Sequence, residues 1–252
     1  MKTEVITSRK NPLLVHIKKL LSSRSYRVKN GQYAADGIKL LEEAVRWNAG
    51  VETVIATKGA VKFPLPEYVR YVEVPEDVMA SVSLMEAPQG SLFICKLPHS
   101  DGFEIPKKCL ILDGLQDTGN VGTILRTADA LDLPVVLTSD CADPYNPKTV
   151  RASMGAVFRS GVRMADREDV IGFCKKNAVP LYVTALSDRA QDIRSTCLDG
   201  AVVIGSEGSG VSKAFLENAD REVIIPMHPR CESLNAAVAA TIVMWQMRSK
   251  EL

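Results

Sequence analysis

The feature that most constrains the fold of this chain is a series of short, uninterrupted apolar runs in its second half. Helical stretches separate these runs along the chain. The runs cover residues 109–113, 134–138, 180–184, 201–205 and 222–225. Strands that are apolar on both faces and alternate with helices are typical of a parallel sheet covered by helices. The sequence therefore predicts an α/β domain over residues 107–252.

The first 98 residues predict a second, smaller α/β unit. Apolar residues recur with helical spacing over residues 11–21 and 37–47, and a helix is expected to begin near Pro75. Strand-like runs occur at residues 52–56, 69–74 and 91–96. A polar segment with proline and glycine, residues 98–102, reads as a linker. We therefore expect a small domain over residues 1–98, followed by the larger one.

Composition argues against several classes of protein. The chain has 252 residues, of which 46% are hydrophobic and 24% charged, which is typical of a globular protein. The apolar runs are shorter than the roughly 18 residues of a membrane span, so we expect no membrane association. The six cysteines form no Cys-x-x-Cys pair and there are three histidines, so we expect no metal site. The cysteine usage and the lack of an apolar signal at the amino terminus favour the cytoplasm.

The positive charge of the chain is concentrated at its amino-terminal end. The net charge of the whole chain is +1, but residues 1–30 contain eight basic residues against one acid, Glu4. Such a segment is a candidate surface for binding a polyanion. A solvated helix face is an equally good interpretation of the charge alone.

Three of the predicted strands end in unusual loops. These loops cover residues 113–122, 205–210 and 226–235, and ligands in open α/β sheets bind beyond the carboxyl ends of strands. The loop at 205–210 has three glycines, which allow a close approach of backbone to ligand, yet it matches neither a P-loop nor a dinucleotide fingerprint. Glu207 at its centre would repel a phosphate and suits a hydroxyl or a cation better. A tight turn with a solvated glutamate is the alternative.

Two polar residues stand out in the helix that follows the first of these loops. We expect Asn120 to cap a helix over residues 123–131, and Asn235 to cap another over residues 236–247. Arg126 has apolar neighbours in the sequence, so we expect it to be partly buried and to pair with a carboxylate or a phosphate. A structural ion pair would satisfy the same pattern.

Taken together, the three loops resemble the three motifs of the SpoU, or TrmH, family of RNA ribose methyltransferases in the SPOUT superfamily. The first motif is Asn-Val-Gly-Thr-Ile-Leu-Arg-Thr-Ala at 120–128, and the second is Val-Ile-Gly-Ser-Glu-Gly-Ser-Gly at 203–210. The third is Ile-Pro-Met at 225–227 followed by Glu-Ser-Leu-Asn-Ala-Ala-Val-Ala-Ala at 232–240. The resemblance runs from about residue 108 to the end. The amino-terminal unit resembles, less specifically, the small substrate-binding domain often fused ahead of it.

The chain departs from the family pattern at three places. Thr118 stands where proline is common, and Cys231 stands where valine is common. Residues 227–230 lack the glycine often found there. None of these departures replaces a side chain that the family uses in catalysis.

The resemblance implies a sheet whose carboxyl-terminal part is threaded into a deep trefoil knot, which general topology rules would reject. It also implies S-adenosylmethionine as methyl donor and the 2′-hydroxyl of a ribose in structured ribosomal or transfer RNA as acceptor. Family members act as homodimers through this domain, with the active site at the interface.

The resemblance also assigns residues to roles. The catalytic group would be Asn120, Arg126, Glu207, Ser233 and Asn235. The donor pocket would be formed by Gly205, Glu207, Gly208, Ile225, Met227, Ser233 and Leu234. Together with the charge pattern, it predicts RNA contacts for Arg9, Lys10, Lys18, Lys19, Arg24, Arg27 and Lys29. Because a guanidinium is effectively always protonated, we expect Arg126 to grip a phosphate and orient the hydroxyl rather than to act as a base.

Three other classes of function remain alternatives. A non-catalytic RNA-binding or assembly factor could share this fold, although it would not need all five polar residues. A dehydrogenase-like nucleotide-binding domain is disfavoured because no Gly-x-Gly-x-x-Gly follows the first strand. A methyltransferase that acts on a base is disfavoured only through the family resemblance.

Overall fold

The computed structural model describes residues 4–98, 105–160, 162–249 and 251. Contacts divide the chain into two compact units. The described residues of 1–99 and 143–161 form the first unit, and those of 100–142 and 162–252 form the second. The second segment of the first unit, residues 143–161, comes from the part of the sequence assigned above to the larger domain. The expected linker lies outside the described residues, apart from Pro98.

The strands are numbered here in chain order within the described residues. They are β1 (Glu4–Val5), β2 (Gln32–Asp36), β3 (Val51–Ala56), β4 (Arg70–Glu73), β5 (Ser91–Lys96), β6 (Cys109–Asp113), β7 (Val135–Thr138), β8 (Arg163–Ala165), β9 (Leu181–Thr184), β10 (Gln191–Asp192), β11 (Ala201–Gly205) and β12 (Arg221–Ile224).

The helices of the same residues are numbered likewise. They are α1 (Pro12–Ser22), α2 (Arg24–Asn30), α3 (Ile38–Arg46), α4 (Glu76–Ala80), α5 (Thr118–Ala130), α6 (Pro147–Ala152), α7 (Ala156–Arg159), α8 (Arg167–Lys176), α9 (Lys213–Asn218) and α10 (Ala236–Arg248).

The first unit is built on a mixed sheet with the strand order β1-β4-β3-β5-β2. The strands β1, β4 and β3 run parallel, whereas β5 runs antiparallel to both of its neighbours. Leu14, Ile17 and Leu20 of α1 are fully buried in an apolar core with strand residues such as Leu92 and Ile94. Their helical spacing is the signal that predicted α1, and Asn11 caps the helix by accepting a hydrogen bond from the backbone N–H of Leu13 at 2.9 Å.

The strand β2 and the helix α2 were missed by the sequence analysis. The sequence of β2 contains no β-branched residue, so its composition does not favour a strand. Antiparallel pairing with β5 over residues 32–36 supplies the backbone hydrogen bonds instead. Tertiary pairing therefore outweighs local propensity at this strand.

The described residues of 143–161 pack within the first unit through aromatic and ionic contacts. The rings of Tyr33 and Tyr145 lie 4.8 Å apart between centroids. Arg27 and Asp143 form an ion pair at 2.5 Å, and a second Arg27 nitrogen donates to the carbonyl of Leu20 at 2.6 Å. Arg27 is only 2% exposed. The prediction that Arg27 contacts RNA is therefore corrected, because its guanidinium is buried and already paired.

The second unit contains a parallel sheet with the strand order β10-β12-β9-β11-β6-β7-β8. Every pairing in it is parallel. The central strands are buried along their length, and Phe215 of α9 and Val170 of α8 pack against them in one core. This confirms the α/β parallel-sheet prediction. The expected trefoil knot stays a prediction. No helix within the described part of the chain is long and apolar enough to cross a membrane.

One helix boundary in the second unit differs from expectation. The helix predicted to begin at residue 123 begins at Thr118. Its cap is Asp117, whose side chain accepts a hydrogen bond from the backbone N–H of Asn120 at 2.7 Å. The prediction that Asn120 caps this helix is therefore wrong, and Asn120 lies in its first turn. Its side chain is left available for other partners.

Candidate active site

The three unusual loops meet at the carboxyl edge of the parallel sheet in the second unit. The strands β6 and β11 are neighbours, with Asp113 paired opposite Gly205. The strand β12 lies on the other side of β9. The loops that leave these strands carry most of the polar residues predicted to act in catalysis.

A chain of hydrogen bonds joins one residue from each of the three loops. The side-chain nitrogen of Asn120 donates to Oε1 of Glu207. The side-chain nitrogen of Asn235 donates to Oδ1 of Asn120 at 3.1 Å. The structure thus brings together three of the five residues assigned to catalysis.

The amino terminus of α10 determines which residue donates and which accepts in this chain of hydrogen bonds. Oδ1 of Asn235 accepts hydrogen bonds from the backbone N–H groups of Ala237 at 3.0 Å and Val238 at 3.3 Å. This confirms the predicted cap at Asn235. Because its oxygen is held by the helix, the Asn235 amide presents its N–H₂ group to Asn120, and Asn120 in turn presents its own to Glu207.

The other two residues assigned to catalysis lie outside this hydrogen-bonded chain. Arg126 is exposed and forms no hydrogen bond or ion pair with any residue that the structure describes. The expectation that Arg126 is partly buried is therefore wrong, and the expected phosphate partner stays a prediction. Ser233 is exposed and lines the pocket described below. Both side chains are available to a bound molecule.

The glycine loop, defined here as residues 205–210, folds back on itself. Ser206 and Gly210 form an antiparallel bridge, in which the N–H of Gly210 donates to the carbonyl of Ser206 at 2.9 Å. A Cβ atom added at Gly205 would lie 2.1 Å from the carbonyl carbon of Gly210 and 2.2 Å from the backbone nitrogen of Val211. Gly205 is therefore required by this crossing. A Cβ at Gly208 would meet no atom within 4 Å.

A pocket of about 600 Å³ opens beside the glycine loop. All seven residues predicted for the donor line it, and these are Gly205, Glu207, Gly208, Ile225, Met227, Ser233 and Leu234. Further lining residues were missed by the sequence analysis, among them Leu186, Ser187, Arg189 and Glu222. Leu186, Ser187 and Arg189 follow the carboxyl end of β9, so the rule that located the other loops could have located this one.

A buried carboxylate beside the start of the glycine loop was also missed. Asp113 is 2% exposed and ends β6. Its Oδ1 accepts hydrogen bonds from Arg167, at 2.7 Å from Nε, and its Oδ2 accepts one from the backbone N–H of Ser212 at 2.6 Å. An acidic residue that ends an apolar strand was the available sequence signal.

Asp140, in the turn after β7, completes this arrangement. Its Oδ2 accepts a hydrogen bond from Arg167 at 2.7 Å. Partial burial alone would raise the pKa of Asp140, but hydrogen bonds from Thr138 and Arg167 outweigh it and hold that pKa below its usual value. Asp140 therefore stays ionised and keeps Arg167 in place.

The residues expected to contact RNA lie in the first unit, and most are exposed. Arg9 forms an exposed ion pair with Asp77 at 2.7 Å, and the Lys19 ammonium lies 5.5 Å from the ring centroid of Tyr26. The other exposed members are Lys10, Lys18, Arg24 and Lys29. Within the described ranges, no group of three or more His, Cys, Asp or Glu could hold a metal ion.

The fold and the site define an α/β protein that binds a ligand at the carboxyl edge of a parallel sheet. Residues 107–245 match the model of the SpoU rRNA methylase family. Residues 11–92 match the model of the MRM3-like substrate-binding domain. The chain belongs to the SpoU rRNA methylase family, and the family predicted from the three motifs is confirmed.

Proteins similar in sequence and in structure match nearly the whole length of this chain. A Bacillus subtilis protein named 23S rRNA (guanosine(2553)-2′-O)-methyltransferase RlmP is 34% identical, covering 96% of this chain and 98% of its own. A putative RNA methyltransferase of the TrmH family from Porphyromonas gingivalis superposes with a TM-score of 0.85 at 29% identity, over 96% of this chain and 99% of its own. An AdoMet-bound rRNA methyltransferase from Sinorhizobium meliloti superposes with a TM-score of 0.86 at 26% identity, over 99% of each chain.

Proposed function

We propose that this protein transfers a methyl group from S-adenosylmethionine to a ribose 2′-hydroxyl of ribosomal RNA. The observation that carries the proposal is the hydrogen-bonded chain of Asn235, Asn120 and Glu207 at the edge of the pocket. Relatives named as ribosomal RNA 2′-O-methyltransferases support both the reaction and the class of RNA.

The pocket fits this donor in size and chemistry. Ile204, Ile225 and Leu234 offer apolar surface to an adenine ring, and the glycine loop offers backbone groups without side chains. The Glu207 carboxylate suits the positive charge of a sulfonium or the hydroxyls of a ribose. A sulfonium supplies an already activated methyl group, so the protein need only bind, align and assist loss of the hydroxyl proton.

Different polar residues of the chain have different roles in binding and aligning the two substrates. Asn235, held by its helix, orients Asn120, and Asn120 orients the Glu207 carboxylate at the pocket. Arg126 would grip an RNA phosphate beside the target ribose, since its guanidinium has no partner within the described residues. Ser233 would complete the site as a hydroxyl that lines the pocket.

The first unit would select the RNA. Its match to a substrate-binding domain and the exposed basic residues of α1 and α2 support this role. The six candidate contacts left after Arg27 is removed are Arg9, Lys10, Lys18, Lys19, Arg24 and Lys29. Phosphate contacts of this kind make binding weaken with salt. Structured RNA is read largely through shape and exposed loops, which suits a ribosomal target.

The proposal extends to the assembly and the location of the protein. A homodimer through α10 is supported by an exposed apolar stripe on that helix, formed by Val238, Ile242 and Trp245. A second copy would bring Arg126 and the pocket of two chains to one interface, as the family resemblance implies. The trefoil knot and the cytoplasmic location belong to the same proposal.

The test is methyl transfer from labelled S-adenosylmethionine to ribosomal RNA, with the product mapped by its resistance to alkaline cleavage. We expect label at a ribose 2′-oxygen. Arg126→Lys keeps the charge but loses the two-pronged geometry, so we expect kcat/KM for RNA to fall by about tenfold or more. Binding of the donor, measured by calorimetry, should be unchanged because Arg126 does not line the pocket.

Two outcomes would contradict the proposal. Label on a base would assign the protein to base methylation. No transfer to ribosomal or transfer RNA, together with tight and salt-dependent RNA binding, would favour the non-catalytic RNA-binding alternative. Full activity of Arg126→Lys would overturn the orienting role given to that residue.

A further inference from the structure

We propose that Asp113 is a positioning residue, which holds the glycine loop in the shape that binds the methyl donor. This inference rests on the proposed function, because it takes the pocket beside that loop as the donor site. Asp113 is not among the motif residues assigned to catalysis or to donor binding. Asp113 nevertheless pairs in register with Gly205, the first residue of the loop, and its carboxylate accepts a hydrogen bond from Ser212, two residues after the loop ends.

The exit of the glycine loop is where Asp113 acts. The loop returns over Gly205 so closely that a Cβ atom there would meet backbone at 2.1 Å. Two residues after Gly210, the N–H of Ser212 donates to Oδ2 of Asp113 at 2.6 Å. The returning chain is therefore held between a strand end that leaves no room for a side chain and a carboxylate that binds its backbone.

The same hydrogen bond also sets the start of α9. Ser212 is the cap residue of that helix, and its carbonyl accepts hydrogen bonds from the N–H groups of Phe215 and Leu216. Leu216 lines the pocket. Displacement of Ser212 would therefore change both the glycine loop and a second wall of the pocket.

Arg167 makes it possible to keep a carboxylate in this position. An ionised carboxylate that is 2% exposed needs a charged partner. Arg167 contacts Oδ1 of Asp113 through Nε at 2.7 Å and through a terminal nitrogen at 2.6 Å. That terminal nitrogen is itself held by Asp140 at 2.7 Å. Both oxygens of Asp113 are therefore used, one by the ion pair and one by the loop.

An isosteric amide cannot replace this carboxylate. In Asp113→Asn, one of the two oxygen positions becomes an N–H₂ group that faces either Arg167 or the Ser212 N–H, and each of these is a donor. We expect the affinity for S-adenosylmethionine to fall by about tenfold or more, since hydrogen bonds to charged groups are the strong ones. The affinity for RNA should stay within about twofold of wild type, because neither the six candidate contacts of the first unit nor Arg126 is hydrogen-bonded to Asp113, Arg167 or Ser212 in the described structure.

A second pair of variants separates positioning from a general loss of stability. Ser212→Pro removes the N–H that Asp113 accepts, and the φ of −62° at Ser212 is one that proline adopts. Ser212→Ala keeps that N–H and removes only a buried hydroxyl that has no hydrogen-bond partner in the described structure. We expect Ser212→Pro to weaken donor binding as Asp113→Asn does, and Ser212→Ala to bind the donor as wild type does.

The experiment is calorimetric titration of the 252-residue chain with S-adenosylmethionine, with and without ribosomal RNA, alongside KM for donor and for RNA. A raised donor KM with unchanged RNA KM in Asp113→Asn and Ser212→Pro supports the inference. Wild-type donor affinity in both variants would overturn it while leaving the proposed function intact. A wild-type protein that binds no donor even with RNA present would overturn the proposed function, and the inference with it.

Discussion

At the scale of single residues, Asn235 uses the oxygen and the nitrogen of its side-chain amide for two different hydrogen-bonding roles. The oxygen of Asn235 caps α10, and its nitrogen orients Asn120. The cap holds the oxygen of the Asn235 amide at the helix, so its nitrogen must face Asn120. The hydrogen bonds from Asn235 through Asn120 to Glu207 therefore all donate in the same direction. The precision of the site thus depends on a helix terminus as much as on the residues near the pocket.

This dual role can be separated by substitution. Asn235→Asp keeps an oxygen for the cap and favours the helix dipole, but it removes the N–H donated to Asn120. We expect its thermal stability to equal or exceed that of wild type and its methylation rate to fall by about tenfold or more. Asn235→Ala loses both functions and should also lose about 1 kcal/mol of stability. Thermal unfolding and methyl transfer measure the two effects, and an Asp variant with full activity would refute the orienting role.

At the scale of elements, the glycine loop shows that two glycines in one motif serve different purposes. Gly205 permits the backbone of residues 210–211 to cross within a distance that no side chain allows, whereas Gly208 borders open space at the pocket. The sequence of the motif gives no sign that Gly205 and Gly208 differ in their roles. Only the return path of the chain distinguishes them.

The two glycines are therefore expected to respond differently to alanine. Gly205→Ala must push the returning backbone away, so we expect a loss of about 2 kcal/mol or more in unfolding free energy and loss of donor binding. Gly208→Ala should stay within about 0.5 kcal/mol of wild type, and any effect it has should be on donor affinity alone. Urea unfolding and donor titration of both variants check this. Equal stability of the two variants would show that the loop does not cross as described.

At the scale of the whole molecule, an exposed apolar stripe lies on α10. Val238, Ile242 and Trp245 are 48%, 37% and 57% exposed and lie along one face of the helix. Apolar side chains that share a face and remain exposed mark an interaction surface. We propose that a second copy of the chain covers it.

The dimer is tested by placing a charge on this stripe. We expect the molar mass of the wild type, measured by light scattering, to be twice that of one 27.5 kDa chain. Trp245→Glu should shift it to the monomer and abolish methylation, since a buried unpaired carboxylate disfavours the interface. Leu84→Glu, which charges an exposed leucine of the first unit, is the matched control and should remain dimeric. A wild type that is monomeric at assay concentration would contradict the dimer.

The sequence by itself determined the class of fold, the places where polar loops meet and the family. Apolar runs define buried strands because burial on both faces leaves no other pattern, and α1, β5, β6 and β11 follow from local spacing. The three motifs identified the hydrogen-bonded residues Asn235, Asn120 and Glu207. They also identified the seven predicted donor-pocket residues, all of which line one cavity.

Only the tertiary structure decided how individual side chains are used. Arg27 was expected to contact RNA and Arg126 to be partly buried, yet the first is buried against Asp143 and the second is exposed. The strand β2 exists through pairing with β5, and Asp113 matters because Ser212 and Arg167 reach it from distant parts of the chain. Periodicity records which face of an element is apolar. The partner of a charge is set by contacts between residues far apart in sequence, which local patterns do not encode.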